Sequence, residues 1–577
     1  MTKTKARAGL GAVLAAWAFA ATAVCQEKIP ELKIGDGRDW AFVNSQWSDT
    51  GAGGIVGSPV GDGDGWQRYV FAFNQAQAFS DVDATFTVQL GDPGKDATAD
   101  LGFIARAQDP THYYLIHFPQ SGQSARGQHF WAALSVADGS GYLRMLKLEL
   151  VRRVASNPTG LAHRARVKLT GDRIQVWLND HPALDVRDST YQQGRVGLAG
   201  LNAFSLGKVF VSGTKVAAGP WNENVKQVKN WFTPFPDVGG QQQFNGRPGR
   251  HGEVSLTKAP NGDLLCAFTS AFTQAMFDAP SNIKPYLGRS SDSGKTWTAE
   301  PAPQNMNGSI HLLKDGRLVS IDVWNGRGTW SESRDNGRTW TNVAPIEPTE
   351  PWPHDPKTMG SLSQLELRDG TLLRFVYGGH SSSSEPVNKW GATHTQAFSI
   401  RSTDGGKSWS FPVSLDATGR KDMGNLDLTE PVSFETSDGR IMSLIRPIYS
   451  PWMWETWSSD QGKTWTPCVC GPFPGWAPSQ AVRTASGVAM FPTRFPGLTL
   501  HHTRDDGMTW DNGGGGTYID TSRWAMGALV EVEPDLVLFI YTDHWIDMSN
   551  ARNSGHPAKL RAQFIRVTAD GLMPVRR

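Results

Sequence analysis

Short runs in which apolar and polar residues alternate fill this chain, and helical periodicity is scarce throughout. Between residues 31 and 213 the strand candidates include Arg68–Phe73, Asp83–Leu90, Tyr113–Phe118 and Arg166–Asn179, and the stretch closes on Gly194–Gly200 and Gly207–Gly213. Strands of this kind separated by turns predict an antiparallel sandwich. Residues 214–245, with Pro220, Pro234, Pro236 and a Gln-rich tract, read as a linker. From 246 to 577 one pattern repeats six times: a small residue, an apolar run, a turn and a second apolar strand. Its copies begin at Val254, Gly308, Gly360, Pro431, Pro478 and Gly527. Repeats of this length and strand content predict propeller blades, so the chain is expected to be all-β, a sandwich followed by a six-bladed β-propeller.

An eight-residue turn is superimposed on five of the six repeats. Its copies are Ser290–Trp297, Ser333–Trp340, Ser402–Trp409, Ser458–Trp465 and Thr503–Trp510, each with Asp at the third place, Gly at the fifth and Trp at the eighth. The Asp side chain is suited to capping backbone N–H groups, Gly to a positive φ, and Trp to filling a gap between sheets as one large apolar plate. This spelling resembles the Asp-box, or BNR, repeat of the sialidase superfamily. The N-terminal region resembles the concanavalin/laminin-G-like jelly rolls, which leaves two roles open for it: binding carbohydrate, or docking onto the propeller. In the superfamily six blades are usual, and the Asp boxes lie on outer turns, away from the catalytic centre.

Composition narrows the partners. Over 577 residues the formal net charge is only +1, which argues against nucleic acid or a charged membrane surface as a target. Lys3, Lys5 and Arg7, the apolar run Leu10–Ala20 and the small residues Ala21-Thr-Ala23 read as an export signal over 1–25, too short to remain as a membrane span. A secreted or periplasmic protein is expected; Thr-Ala-Val before Cys25 is a poor lipid-attachment signal. Four cysteines do not make a disulfide scaffold, and Cys468-Val-Cys470 has no partners at zinc-ligand spacing.

The resemblance implies a site where the inner strands converge. Glu430 heads the segment Thr429-Glu-Pro-Val-Ser-Phe, a Asp438-Gly439 turn follows, and Arg446 comes sixteen residues after the Glu. In the family the Glu polarises a nucleophilic Tyr, and the Arg is one of three guanidiniums that clamp a sugar carboxylate. Arg494, just before the last eight-residue turn, matches another of the three. Asp278, in the loop Phe272–Asn282 of the first blade, matches the acid/base Asp, with Met276 and Phe277 as apolar neighbours suited to raising a carboxyl pKa. No metal or cofactor is implied, and the partner implied is a glycan.

Two places depart from the family. Gly252 stands where the first clamp Arg is expected, with Arg247 and Arg250 just upstream, and Met526 stands where the nucleophilic Tyr is expected. Met cannot attack an anomeric carbon. A Tyr nucleophile and a three-Arg clamp both serve an anomeric carbon that bears its own carboxylate. Losing one of each points to a different acidic sugar, such as a uronic acid. Tyr449, Tyr518 and Tyr541 are alternative tyrosines. His251, His380, His394 and His544 leave open a uronate lyase, and a non-catalytic glycan-binding propeller is a third reading.

Overall fold

The computed structural model describes residues 29–60, 68–90, 98–121, 128–154, 162–201, 204–222, 224–225, 229–235, 254–270, 284–324, 327–346, 359–380, 394–410, 412–416, 428–447, 452–475, 480–521, 527–543 and 559–576. The export segment 1–25 lies outside them. Apart from one short 3-10 turn at Asp511–Gly514, every regular element in them is a β-strand.

The N-terminal strands form a sandwich of two antiparallel sheets, and the long strand Val70–Leu90 runs through both. Its first half joins a sheet with Trp40–Val43, Gly194–Leu201, Thr98–Asp109, His112–His117, Gln128–Asp138 and Leu143–Val154. Its second half joins Ala162–Thr170, Arg173–Leu178, His181–Arg187 and Val209–Val216. Residues pointing inward, such as Val70, Ala72, Leu101, Phe103, Ile116 and Leu134, make the core between the sheets. The first sheet is apolar on its outer face as well. Tyr69, Phe71, Phe73, Tyr113, Leu115 and Trp131 form a second buried cluster with Phe495 and Tyr518 of the propeller. Alternation is lost in Arg68–Phe73 and Tyr113–Phe118 because both faces of those strands are covered. Of the two roles left open for the sandwich, docking is the one its first sheet performs. Strand Leu143–Val154 even pairs with propeller strand Thr517–Asp520, Leu143 opposite Tyr518.

Six four-stranded antiparallel units follow. Blade 1 is Ser255–Lys258, Leu264–Ser270, Lys284–Ser290 and Thr298–Pro301; blade 2 is Ser309–Leu312, Leu318–Trp324, Arg327–Ser333 and Thr341–Ile346. Blade 3 is Met359–Glu366, Leu372–His380, His394–Ser402 and Val413–Ser414; blade 4 is Leu428–Glu435, Ile441–Pro447, Trp452–Ser458 and Val469–Pro474. Blade 5 is Val482–Arg483, Ala489–Thr493, Leu498–Thr503 and Thr517–Asp520; blade 6 is Gly527–Glu533, Leu536–Asp543, Lys559–Thr568 and Gly571–Val575. The first strand of blade 1 abuts the first strands of both blade 2 and blade 6, so the blades close into a ring. Neighbours supply partners for inner-strand backbone groups: Ser255 Oγ accepts from Ile310 N (2.9 Å), and Ser363 Oγ accepts from Ser433 N (3.0 Å). An otherwise open strand edge is thereby satisfied.

The five eight-residue turns share most of one hydrogen-bond pattern; in the last two the sixth-place amide donates to the backbone carbonyl of the Asp and not to its carboxylate. In the first, Asp292 accepts from the amides of Lys295 and Thr296 and from the Ser290 and Thr296 hydroxyls, while Ser290 Oγ accepts from Gly294 N at 2.9 Å. Burial alone would raise the Asp292 carboxyl, but these donors hold it at about 2. The fifth-place glycines have φ between +77° and +93° and pack hard against the preceding blade. A Cβ there would meet Leu538 at 2.6 Å from Gly294, Leu265 at 2.9 Å from Gly337 and Trp330 at 2.5 Å from Gly406. The same construction gives Leu373 at 2.8 Å from Gly462 and Met442 at 2.5 Å from Gly507. The Trp residues lie in the same seams, Trp465 donating its indole N–H to Ser399 Oγ of blade 3 at 3.0 Å.

Ring closure uses the linker. Phe232 exchanges backbone hydrogen bonds with Ala562 of blade 6. Three residues on, Phe235 packs on Phe268 and Trp297 of blade 1, with ring centroids 4.6 and 5.4 Å away. The linker is therefore a clasp between the last blade and the first. Phe235→Ala is expected to cost about 3–5 kcal/mol, as for other fully buried Phe truncations, and chemical denaturation measures it.

In blade 5, His501 is buried, stacked on Phe473 (3.9 Å between centroids), and neither ring nitrogen has a partner among the described residues. Burial is the main cause that lowers its pKa to about 4; His502 lowers it further and Asp511 opposes. A depressed His pKa means that the unfolded chain binds more protons between pH 4 and pH 6.5, so stability rises with pH across that window. His501→Phe is expected to flatten that part of the stability–pH curve, read from denaturant midpoints at fixed pH values.

Candidate functional site

The eight-residue turns all follow the third strand of a blade, which puts them at one end of the propeller. Because the strands are antiparallel, the starts of first strands and the ends of second strands lie at the opposite end. Glu430 and Arg446 meet there in blade 4. Arg446 Nη1 donates to Glu430 Oε2 at 2.7 Å, and each residue is 4% exposed. Arg494 follows the end of the second strand of blade 5, the corresponding place one blade on, and is 2% exposed.

The Glu430–Arg446 contact depends on a distorted backbone. Thr429 is the register partner of Arg446, so in a regular strand Glu430 would point to the other face of the sheet. The register slips between Thr429 and Val432, a bulge, and Glu430 takes φ +48°. A left-handed, non-glycine residue costs on the order of 1–3 kcal/mol and persists where its surroundings enforce it. The bulge turns the carboxylate onto the guanidinium side. Pro431 follows directly and lacks an N–H, which suits a place taken out of the hydrogen-bonded ladder.

Among the other predicted residues, Asp278, Arg250, Gly252, Met526, Tyr449, His251 and His544 lie outside the described residues. His380, at the end of the second strand of blade 3, is opposite His394, at the start of the third. Tyr541 is not an accessible nucleophile: its hydroxyl donates to Asp520 at 2.7 Å, accepts from Gln563 at 2.7 Å, and the residue is fully buried. Tyr518 is buried beneath the sandwich.

Sequence reading missed a polar network at the same end. Asp520 accepts from both Tyr541 and Arg561 (3.0 Å), and Gln563 links Tyr541 to Tyr142 of the sandwich, whose hydroxyl donates at 2.9 Å. Arg561 also lies 3.8 Å from the Trp231 ring centroid. These residues sit far apart in the chain, and no local motif marks them. A second arrangement, in the sandwich, has the hydrogen-bond order of a nucleophilic triad. Ser135 Oγ is 3.1 Å from His117 Nε2, and His117 Nδ1 is 2.7 Å from Asp100 Oδ2. All three are buried and Tyr69 shares the Asp, so the trio anchors the sheet rather than meeting substrate.

Residues 301–512 match the family model of the BNR repeat-like domain. No functionally curated relative matches the chain. A protein of unknown function from Dyadobacter fermentans is similar in structure over 58% of this chain and 97% of its own, at 18% identity and TM-score 0.45. The NanB sialidase from Streptococcus pneumoniae is similar over 86% of this chain and 95% of its own, at 11% identity and TM-score 0.41. A carbohydrate-binding module, CBM66, from Bacillus subtilis is similar over 30% of this chain and 95% of its own, at 18% identity and TM-score 0.22. The matched stretch contains four of the five eight-residue turns, from Ser333–Trp340 to Thr503–Trp510.

Removing one partner of a buried ion pair strands the other. Arg446→Met is expected to destabilise the protein by about 3–5 kcal/mol, and Arg446→Met with Glu430→Gln by less, compared by urea denaturation.

Proposed function

We propose that this protein is an exo-acting glycoside hydrolase that removes terminal acidic sugars other than ordinary sialosides, and that it works outside the cytoplasm. The observation that supports this best is the Glu430–Arg446 pair. A carboxylate is held on a strained bulge at the non-turn end of the propeller, with a second buried arginine, Arg494, at the corresponding place on the next blade. Strain of this kind is retained where a side chain must be aimed. Arginine is suited to a planar sugar carboxylate, and Arg250 is the further candidate for that anion.

In this reading Asp278 donates a proton to the glycosidic oxygen as the bond to the anomeric carbon breaks. Glu430 faces the positive charge that develops on the ring and receives the proton of the incoming water. Export is supported by the signal-like segment at residues 1–25. Met526, in the place of a nucleophilic tyrosine, and Gly252, in the place of a clamp arginine, favour a uronic acid or related sugar over a sialoside.

The test is a panel of chromogenic glycosides that includes a sialoside, uronides and neutral sugars. Release from an acidic, non-sialic member is expected, with Asp278→Asn and Glu430→Gln each lowering kcat roughly a hundredfold or more. Product absorbing in the ultraviolet as an unsaturated uronate would identify a lyase instead. Glycan binding without release would identify a lectin.

A further inference from the structure

The two buried arginines share a support that comes from outside the propeller. Phe495, the residue after Arg494, is 1% exposed, and its ring centroid is 4.9 Å from that of Trp131 in the sandwich. Trp452 opens the third strand of blade 4, beside the strand that carries Arg446, and its centroid is 5.9 Å from the same indole. The turn that carries Arg494 is also backed from below. A Cβ on Gly497 would stand 2.5 Å from the Tyr518 ring, and Tyr518 is opposite Leu143 of the sandwich in the register.

We propose that Trp131 is a positioning residue for the anion-binding end of the propeller, acting through Phe495 on Arg494 and through Trp452 on the strand beside Arg446. Its role is to position these residues, not to take part in the chemistry. Shape is what it contributes: its indole N–H has no hydrogen-bond partner among the described residues, and its contacts with Trp452 and Phe495 are ring against ring. A large planar ring wedged between two aromatic residues of adjacent blades fixes the distance between those blades at the end where the guanidiniums lie. Polar contacts from the same domain, Tyr142 to Gln563 and Asn230 to Ser140, hold the sandwich and its linker in place around that wedge. The inference rests on the proposed function only for its consequence in turnover; the mechanical part stands apart from it.

The experiment has two arms on the full chain. Amide hydrogen exchange is followed in Trp131→Leu, Trp131→Phe and Phe495→Leu. Trp131→Leu and Phe495→Leu are expected to speed exchange about tenfold or more in 489–500 and 441–458, with 309–323 of blade 2 unchanged and Trp131→Phe close to the parent. Equal exchange in all variants, or a uniform rise in every blade, overturns the proposal, because either outcome removes the selective link to blades 4 and 5. The second arm uses the acidic glycoside that the panel identifies. KM is expected to rise roughly tenfold in Trp131→Leu, as a small misplacement of a binding group would cause, with kcat within about twofold and recovery in Trp131→Phe. Selective exchange with an unchanged KM overturns the link to the arginines. Lack of turnover by the parent on every acidic glycoside counts against the glycosidase reading, while the exchange arm still decides the positioning.

Discussion

Five of the propeller's six seams are spaced by the closeness of one glycine to the blade before it. A glycine is required in the eight-residue turn for its left-handed φ, and it is required a second time because a Cβ would collide with the preceding blade. The contact repeats from blade 1 onto blade 6, blade 2 onto 1, 3 onto 2, 4 onto 3 and 5 onto 4. Backbone thus sits on side chain in five of six seams, and the tryptophan of the same turn fills the space beside it. Only blade 6 lacks the turn; its seam with blade 5 is filled by apolar side chains, Met490 and Leu500 among them against Leu529 and Phe539, with Glu531 accepting from Ala485 N and Asp535 from Ser486 at the rim. The seam without the turn lies next to the seam that the linker clasps.

That spacing carries over to the site. Blade 4 meets blade 3 through Gly462 on Leu373, and blade 5 meets blade 4 through Gly507 on Met442. Glu430, Arg446 and Arg494 belong to blades 4 and 5, so their separation is set at the turn end by two glycines and at the other end by the aromatic wedge from the sandwich. The Glu430 carboxylate and the guanidiniums are therefore placed by packing at both ends of rigid strands, and the only strained backbone among the three is the bulge at Glu430.

How much of this was legible in the sequence depended on how local the signal was. The turns, the blade number and the Glu430–Arg446 spacing were legible because each lies within a few dozen residues and has a period. The bulge was half legible: Glu430-Pro431 at the head of an apolar run hints at a break in the ladder, but not at the sign of φ. The docking face of the sandwich was written in Arg68–Phe73 and Tyr113–Phe118 as continuous apolar runs, which alternation with one wet face does not produce. The Asp520–Tyr541–Arg561 network and the Trp131–Phe495 contact were not legible, because partners that meet only through tertiary packing leave no spacing to read. Tyr518 and Tyr541 show the converse limit. As residue types they fit a nucleophile, and only burial and hydrogen bonding remove them.

The linker clasp has a consequence for the order in which the chain is made. Phe232 leaves the ribosome more than three hundred residues before its partner Ala562, and Tyr142 more than four hundred before Gln563. Through most of synthesis the sandwich therefore carries an uncovered apolar sheet face, and the first blade an open seam. A nascent chain with such surfaces is prone to capture by other chains. Blades 4 and 5 cover the sandwich face with Trp452, Phe495 and Tyr518, and the arrival of the last blade then closes the seam with the first, so the C-terminal strands are the step that converts a row of blades into one closed body.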